Sequence, residues 1–515
     1  MVMTDWFGGK TPALQMYAGN DLLMPGSDKQ YQDIVAAVKE GSLSIENLDI
    51  NVRRVLNLIV QSPRFKGYKY SNTPDLKAHA AITRQSAAEG MILLKNNNDA
   101  LPFSAKVKTV AAFGVTSYDF IAGGTGSGDV NKAYTVSLVE GLNNAGYKLN
   151  ADLQQLYEKH IRDENEKNKP DPNNPFATFM PKIRPGELTP EAVVLKAQAT
   201  ATDVALITIG RTSGEFMDRK IPDDFELTKH EKQLIDEVCK AFHAVGKKVV
   251  VILNIGGVIE TASWKELPDA ILLAGQAGQE GGNTVADALS GKINPSGKLA
   301  STYPVKYEDI ASSSNFPFDY KSDNQFMMGG GVSKEKKDFV RNVDYTNYEE
   351  GIYVGYRYFD TFDKAVSYPF GFGLSYTAFN YLNPKIIETE GVYTVTVDVK
   401  NTGKVAGKEI VQLYVSAPVN AQLPKPAKEL KAFAKTKELK PGESETISMK
   451  VNSSELASFH ENVSAWVIDS GAYRVLIGTS SKDIKASLSI HIEQGAETKA
   501  NDVLRLQEPV NALKK

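Results

Sequence analysis

The chain has 515 residues, with 59 Lys and Arg set against 62 Asp and Glu for a net charge of −3, and it contains a single cysteine, Cys239. The two signs are mixed along the chain, which argues against a nucleic-acid or anionic-membrane partner, and the lone cysteine excludes an intrachain disulfide or a multi-thiolate metal site. At about 150 residues per domain the length suggests three or four domains; no apolar run reaches the ~18 residues of a membrane span, and the first residues lack the charged-then-apolar pattern of a secretory leader.

The first predicted element is the short apolar run that ends at Asp5, in Met1-Val-Met-Thr-Asp5, followed by Trp6. A second short run, Asp21-Leu-Leu-Met24, and two helix-period segments, Tyr31 to Lys39 and Ile45 to Gln61, complete this region. In the later helix Leu48, Val52, Val55, Leu56 and Ile59 recur at helical spacing, which predicts an amphipathic helix packed on something apolar. This pattern of short apolar runs and amphipathic helices reads as the tail of a β/α barrel, about two of the eight units such a barrel contains.

From residue 76 to about 305, strand-like runs (Val110-Ala-Ala-Phe113, Val204 to Ile209, Val249 to Leu253) alternate with helical segments such as Leu227 to Ala244. That alternation predicts an open α/β sheet with helices on both faces. Between Arg162 and Glu187 the sequence turns Asn-, Lys- and Pro-rich, which predicts a long surface excursion with a mobile tip. From Tyr376 the period becomes two: Tyr393, Val395, Val397 and Val399 share one face of a strand. Further short strands, Ile410 to Val415, Thr446 to Val451, Ser464 to Asp469, Tyr473 to Gly478 and Leu488 to Ile492, predict a β-sandwich. The last twenty residues are polar and read as a fraying tail.

Two carboxylates stand where strands run out. Asp5 ends the first run, and Glu215 lies in Gly210-Arg-Thr-Ser-Gly-Glu215-Phe-Met-Asp-Arg219, directly after the run Val204 to Ile209. The carboxyl ends of strands are where α/β folds place ligands, and a pair of carboxylates is the minimum equipment for cleaving a glycosidic bond. Taken singly, Asp5 reads equally well as a helix-capping carboxylate and Glu215 as a solvated loop residue. Trp6 as a lone aromatic is more often core, but beside a sugar-binding carboxylate its indole offers an apolar face and an N–H donor. The stretch Gly123-Gly-Thr-Gly-Ser-Gly128 resembles a phosphate loop only superficially: no Gly-Lys-Ser/Thr follows it, and Asp129 replaces the third glycine of a dinucleotide fingerprint. It reads instead as a loop that approaches a ligand with backbone groups and the Thr125 and Ser127 hydroxyls. The six histidines show no ligand-spaced pair, so no metal or other cofactor is expected.

Five stretches, in order, resemble glycoside hydrolase family 3, the family of many β-glucosidases. Thr4-Asp-Trp-Phe-Gly-Gly9 is similar to its nucleophile motif and Ala18-Gly-Asn-Asp-Leu-Leu-Met-Pro-Gly26 to its final barrel strand. Gln276-Ala-Gly-Gln-Glu-Gly-Gly-Asn283 with Asn294-Pro-Ser-Gly-Lys-Leu299 resembles its sandwich-domain signature. Tyr348-Glu-Glu-Gly-Ile-Tyr-Val-Gly-Tyr-Arg-Tyr-Phe359 and Tyr368-Pro-Phe-Gly-Phe-Gly-Leu-Ser-Tyr376 resemble the segments leading into its fibronectin-like domain. The resemblance implies a multidomain α/β plus β fold: the C-terminal part of a β/α barrel over 1–66, an α/β sandwich domain over 67–305, a linker over 306–375, a fibronectin type III-like β-sandwich over 376–495 and a tail over 496–515. It also implies that Asp5 is the nucleophile and Glu215 the acid/base of a retaining exo-acting β-glycosidase, with β-glucosidase favoured over β-xylosidase by family frequency.

The sequence departs from the family upstream, where relatives carry a Lys-His pair, an arginine and an acidic residue that grip the sugar. These 515 residues hold none of that barrel portion, so the sugar pocket is expected to need a complementing N-terminal barrel segment, or a second copy of the chain, besides its β-glycoside substrate. The competing expectation is a non-catalytic carbohydrate-binding or structural remnant.

Overall fold

The computed structural model describes residues 1–6, 8–170, 183–212, 219–314, 348–502 and 510–515. The chain forms two compact units: Met1–Leu76 with Ala457–Asp469 and Gln494–Pro509, and Lys77–Leu456 with Ser470–Glu493 and Val510–Lys515.

In the first unit, strands β1 (Met3–Trp6) and β2 (Leu22–Met24) pair in parallel, with helix α1 (Pro12–Tyr17) between them and α2 (Asp28–Lys39) and α3 (Ile45–Gln61) following. Ser27 and Ser44 cap α2 and α3 by accepting from the backbone N–H groups of Gln30 and Asn47, the usual device for satisfying orphan donors at a helix start. Met16, Ala37 and Leu43 form a small core, tied by the buried Asn51 amide, which donates to the Met16 carbonyl at 2.9 Å. The apolar stripe of α3 is not packed as the periodicity predicts. Leu48 joins the core and Val55 is half-buried, but Val52, Leu56 and Ile59 are 52, 53 and 46% exposed. Helical periodicity identifies a stripe that favours burial; it does not supply the surface that buries it.

The same unit includes a three-stranded antiparallel sheet of Ser458–His460, Ala465–Ile468 and Ala496–Lys499. The strand expected over Ser464 to Asp469 therefore joins this sheet rather than the sandwich. Ala496–Lys499, in the polar C-terminal stretch, is a fully exposed strand held by backbone pairing to Ala465–Ile468.

The second unit opens with α4 (Leu76–Gly90) and a six-stranded sheet of β3 (Ile92–Asn96), β4 (Thr109–Phe113), β5 (Lys148–Leu149), β6 (Val204–Arg211), β7 (Lys248–Ile255) and β8 (Ala270–Leu273). The spatial order is β3-β8-β7-β6-β4-β5, parallel except for β3 at one edge. Helices cover both faces, so successive residues of one strand enter different cores. Val249, Val251 and Leu253 pack with α6 (Ala151–Lys167), α7 (Ala192–Ala201) and α8 (Lys229–His243), while Val250 and Ile252 pack with α5 (Leu138–Asn144) and α9 (Gly281–Leu289). Two-sided burial is the reason these strands read as unbroken apolar runs. Helix α6 continues to Lys167, past Arg162, because Lys159–Asp163 and Lys167–Glu164 pairs support a polar helix without apolar periodicity. The tip of the expected excursion, 171–182, lies outside the described residues.

The antiparallel sandwich pairs Phe379–Thr389, Val392–Asn401 and Ser444–Asn452 in one sheet and Glu429–Lys435, Ile410–Ser416, Gly471–Gly478 and Ile484–Ile492 in the other. Val395, Val397 and Val399 are buried as their alternation predicts, and Tyr393 is half-buried. Glu89 at the end of α4 is ion-paired with Lys408 and Lys435, and Lys298 with Glu409 at 2.9 Å, which fastens this sandwich to the α/β layer.

Candidate active site

Asp5 and Trp6 stand at the carboxyl end of β1. Both are exposed, Trp6 by 65%. The strand is fixed beside them by Thr4, whose hydroxyl accepts from the Met24 backbone N–H at 2.7 Å. Buried Asp21 holds the chain start, accepting from the Val2 N–H at 2.7 Å and pairing with Arg54 at 3.3 Å. Asp5 thus sits on a strand end that is held on both sides while its own carboxylate meets solvent.

In the second unit the sheet reverses its building direction between β4 and β6: β5 is added on one side of β4, and β6, β7 and β8 on the other. The carboxyl edge at such a switch point is where loops part and leave a crevice for ligands. The glycine-rich loop follows β4 there, with half-buried Thr125 and exposed Ser127 on either side of Gly126, whose φ is +63°. Buried Asn254, near the end of β7, holds the loops together: its amide donates to the carbonyls of Ile121 (2.9 Å) and Gly275 (2.8 Å) and accepts from the Ile121 N–H (2.7 Å). Gly114 lets the chain leave β4 against β6, since a Cβ there would lie 2.2 Å from the Thr208 carbonyl oxygen.

Beneath this edge lies a group of buried charges. Arg211, the last residue of β6, spends all five guanidinium N–H donors. It binds Glu231 bidentately at 2.6 and 2.8 Å and donates to the carbonyls of Gly210 (2.7 Å), Asp224 (2.8 Å) and Glu226 (3.4 Å). Glu231 also closes the capping box of α8 with Thr228, so one carboxylate starts the helix and neutralises the arginine. Arg219 donates to the Asp224 carboxylate at 2.7 Å and to the Val258 carbonyl at 3.3 Å. Nearby Glu187 accepts from the Val115 and Leu188 N–H groups at 3.1 and 2.9 Å. Burial pushes its carboxyl up to about 8, Glu231 adds to that rise, and the two backbone donors with Arg211 oppose it.

Asp5 and Trp6 therefore belong to the first unit and Thr125 and Ser127 to the second, while Glu215 lies outside the described residues. Sequence reasoning missed Arg211, Asp224, Glu231, Glu187 and Asn254. The one available signal was Thr228-x-x-Glu231, a legible capping box whose second task shows only in three dimensions. Among the described residues no group of three or more His, Cys, Asp or Glu is placed to hold a metal ion, and no helix is long and apolar enough to cross a membrane.

The two-sided α/β layer and the antiparallel β-sandwich that follows it in the chain each match a known sequence family. Residues 91–356 match the glycosyl hydrolase family 3 C-terminal domain and residues 409–481 the fibronectin type III-like domain. Beta-glucosidase A of Butyrivibrio fibrisolvens is 35% identical over 459 residues, which cover 79% of this chain and 50% of that protein. Thermostable beta-glucosidase B of Acetivibrio thermocellus is 33% identical over 509 residues, covering 95% of this chain and 58% of that protein. The structure of beta-glucosidase 3B from Thermotoga neapolitana in complex with glucose superposes with a TM-score of 0.81 at 41% identity, over 97% of this chain and 67% of the other. The chain belongs to glycoside hydrolase family 3. It spans between half and three-fifths of the length of these two curated relatives.

Proposed function

We propose that this chain carries the catalytic carboxylates of a retaining exo-acting β-glucosidase that removes terminal β-D-glucosyl residues. The observation that carries the reading is the family membership joined to the position of Asp5, an exposed carboxylate at the end of a parallel strand. In this reading Asp5 attacks the anomeric carbon while Glu215 protonates the leaving oxygen. Glu215, now ionised, then removes a proton from the water that releases the glycosyl-enzyme. Retention requires the two carboxyl groups to act from about 5 Å apart, one ionised and one protonated, in differing environments. Trp6 offers a stacking face to the sugar, and Thr125 and Ser127 offer hydroxyls from the loop after β4.

Residues 1–66 serve in this reading as the last part of the catalytic barrel, 67–305 as the α/β sandwich domain, and 376–495 as the fibronectin-like domain, joined through 306–375 and ending in a tail over 496–515. The exposed stripe Val52, Leu56 and Ile59 supports completion of the pocket by further barrel strands and helices, supplied in the same polypeptide, as a separate segment or by a second copy. Assay of residues 1–515 on nitrophenyl β-D-glucoside, alone and with a separately expressed barrel segment, tests this. Turnover that needs the added segment and both Asp5 and Glu215 supports it. Binding of the segment without turnover, or turnover indifferent to Asp5, rejects it in favour of a non-catalytic module. A panel of glucosides, xylosides and arabinosides reads out the sugar, since relatives also include an exo-alpha-(1->6)-L-arabinopyranosidase of Bifidobacterium breve at 30% identity.

A further inference from the structure

Arg184 lies at the carboxyl edge of the six-stranded sheet, where its Nη2 donates to the backbone carbonyl of Asp119 and, at 2.9 Å, to the Asp119 carboxylate. Asp119 stands in the turn after β4, which Ser117 ties to Thr208 of β6 at 2.7 Å, at the switch point of the sheet. Both partners are held by other contacts. Tyr157 of α6 stacks on Tyr118 with ring centroids 5.2 Å apart and donates to the Leu188 carbonyl at 3.3 Å, the His160 ring meets the Gly186 carbonyl at 2.8 Å, and Glu187 accepts from the Val115 N–H at 3.1 Å. The segment bearing Arg184 is thus fastened to α6 and to the turn without the ion pair, and an exposed pair adds little to stability in its own right.

The pair is open on its outer side. Arg184 is 30% and Asp119 36% exposed, and among the described residues no acceptor meets Nε or Nη1 of Arg184 and no donor meets Oδ1 of Asp119. Arg211, by contrast, spends all its donors on the protein. We propose that Arg184 and Asp119 bind the hydroxyl groups of a saccharide leaving group and so favour disaccharides over aryl glucosides. The inference rests on the β-glycosidase reading given above. A general acid must reach the leaving oxygen, so in that reading the α/β layer meets the departing group. Charge balance selects the class of ligand: Asp119 offsets the guanidinium, which disfavours a free anion, while sugar hydroxyls both accept from the open N–H groups and donate to the carboxylate. Both halves are fixed before the sugar arrives, so little freedom is lost on binding.

The test uses Arg184→Met, which cannot donate, and Arg184→Lys, which keeps the ion pair but offers its donors from a single atom. In the barrel-complemented enzyme both are expected to lower kcat/KM on a β-linked glucose disaccharide about 10-fold and on nitrophenyl β-D-glucoside by less than about 2-fold, since only the disaccharide brings a second sugar to the pair. Equal losses on the two substrates, no loss on the disaccharide, or full recovery by lysine overturns the proposal, the last because a pair that merely fastens the chain needs only the charge. A second arm needs no turnover. Cellobiose is titrated into residues 1–515 while the Arg184 Nε–H resonance, assigned as the one missing from Arg184→Lys, is followed by NMR. A saturable shift with a midpoint on the order of 10 mM is expected. No shift, or a shift with sulfate and none with cellobiose, overturns the proposal. If Asp5→Ala leaves turnover intact, the glycosidase reading falls, and the titration alone then decides whether the pair binds a sugar.

Discussion

Asn254 and Ile121 are joined by reciprocal hydrogen bonds, the Ile121 N–H to the Asn254 side-chain oxygen at 2.7 Å and the Asn254 amide to the Ile121 carbonyl at 2.9 Å, with the other amide proton on Gly275. A side chain at the end of one strand thereby reinforces two loops that also share a backbone hydrogen bond, from the Gly278 N–H to the Ala122 carbonyl at 2.9 Å. Because the asparagine is fully buried, no water is at hand to replace it.

Asn254→Ala should therefore strand one N–H and two carbonyls and cost about 3 kcal/mol, given a penalty of roughly 1–3 kcal/mol for a buried polar group left without a partner. Urea unfolding followed by Trp264 fluorescence checks this, because Trp264 is buried in the α/β layer while Trp6 and Trp466 are exposed. A change below about 0.5 kcal/mol, the range of surface substitutions, would show that the loops are held by other contacts.

Glu187 makes stability depend on pH. Its folded carboxyl is raised to about 8 from the ordinary 4.5, so the native state keeps a proton that the unfolded chain has already released. The resulting stability is complete below about pH 4.5 and is lost progressively as pH rises to about 8, at roughly 1.4 kcal/mol per pH unit. Glu187→Gln removes this slope, and any constant offset from its altered hydrogen bonds cancels between pH values. Urea midpoints of the two proteins at pH 5, 7 and 9 should thus converge or cross in favour of the glutamine variant as pH rises. Parallel curves would show that Glu187 ionises at its ordinary pKa.

The sequence was most legible where one physical cause dominates. Val204 to Ile209 and Val249 to Leu253 stood out because both sheet faces are covered, and Val395, Val397 and Val399 because one face is. Features that depend on partners distant in sequence were hidden. Arg211 meets Glu231 only after β6 has crossed to α8, and nothing in the spelling of Asp224 shows that two arginines converge on it. Ala496–Lys499 carries no apolar alternation, being an exposed strand held by backbone pairing to Ala465–Ile468 and by the Lys499 ammonium on the Val463 carbonyl, and α6 beyond Arg162 is sustained by charge pairs rather than by a buried stripe. Helix α3 gave the converse error: its stripe was plain, its exposure was not.

Cys239 should resist thiol reagents in the folded protein. Burial, with Asp269 and Asp236 nearby, pushes its thiol up to about 12, and the side chain is 3% exposed, so both the thiolate and access to it are suppressed. Reaction with a chromogenic disulfide at pH 8 is expected at least about 100-fold more slowly than with a free thiol, and to accelerate at the urea concentration that unfolds the α/β layer. Labelling at the free-thiol rate without denaturant would mean that α8 opens locally.

Asp5→Ala separates chemistry from stability. The Asp5 side chain is exposed on β1, so its removal should change the unfolding free energy by no more than about 0.5 kcal/mol. In the complemented enzyme the same change should lower turnover by several orders of magnitude, because no other group would form the glycosyl-enzyme. The β-anomer should also be the first product seen by proton NMR in the unmodified enzyme, since two successive inversions at the anomeric carbon restore the starting configuration. Retention of a tenth of the activity by Asp5→Ala would remove Asp5 from the nucleophile's role. Early release of the α-anomer would instead reject the double displacement itself and point to direct attack by water.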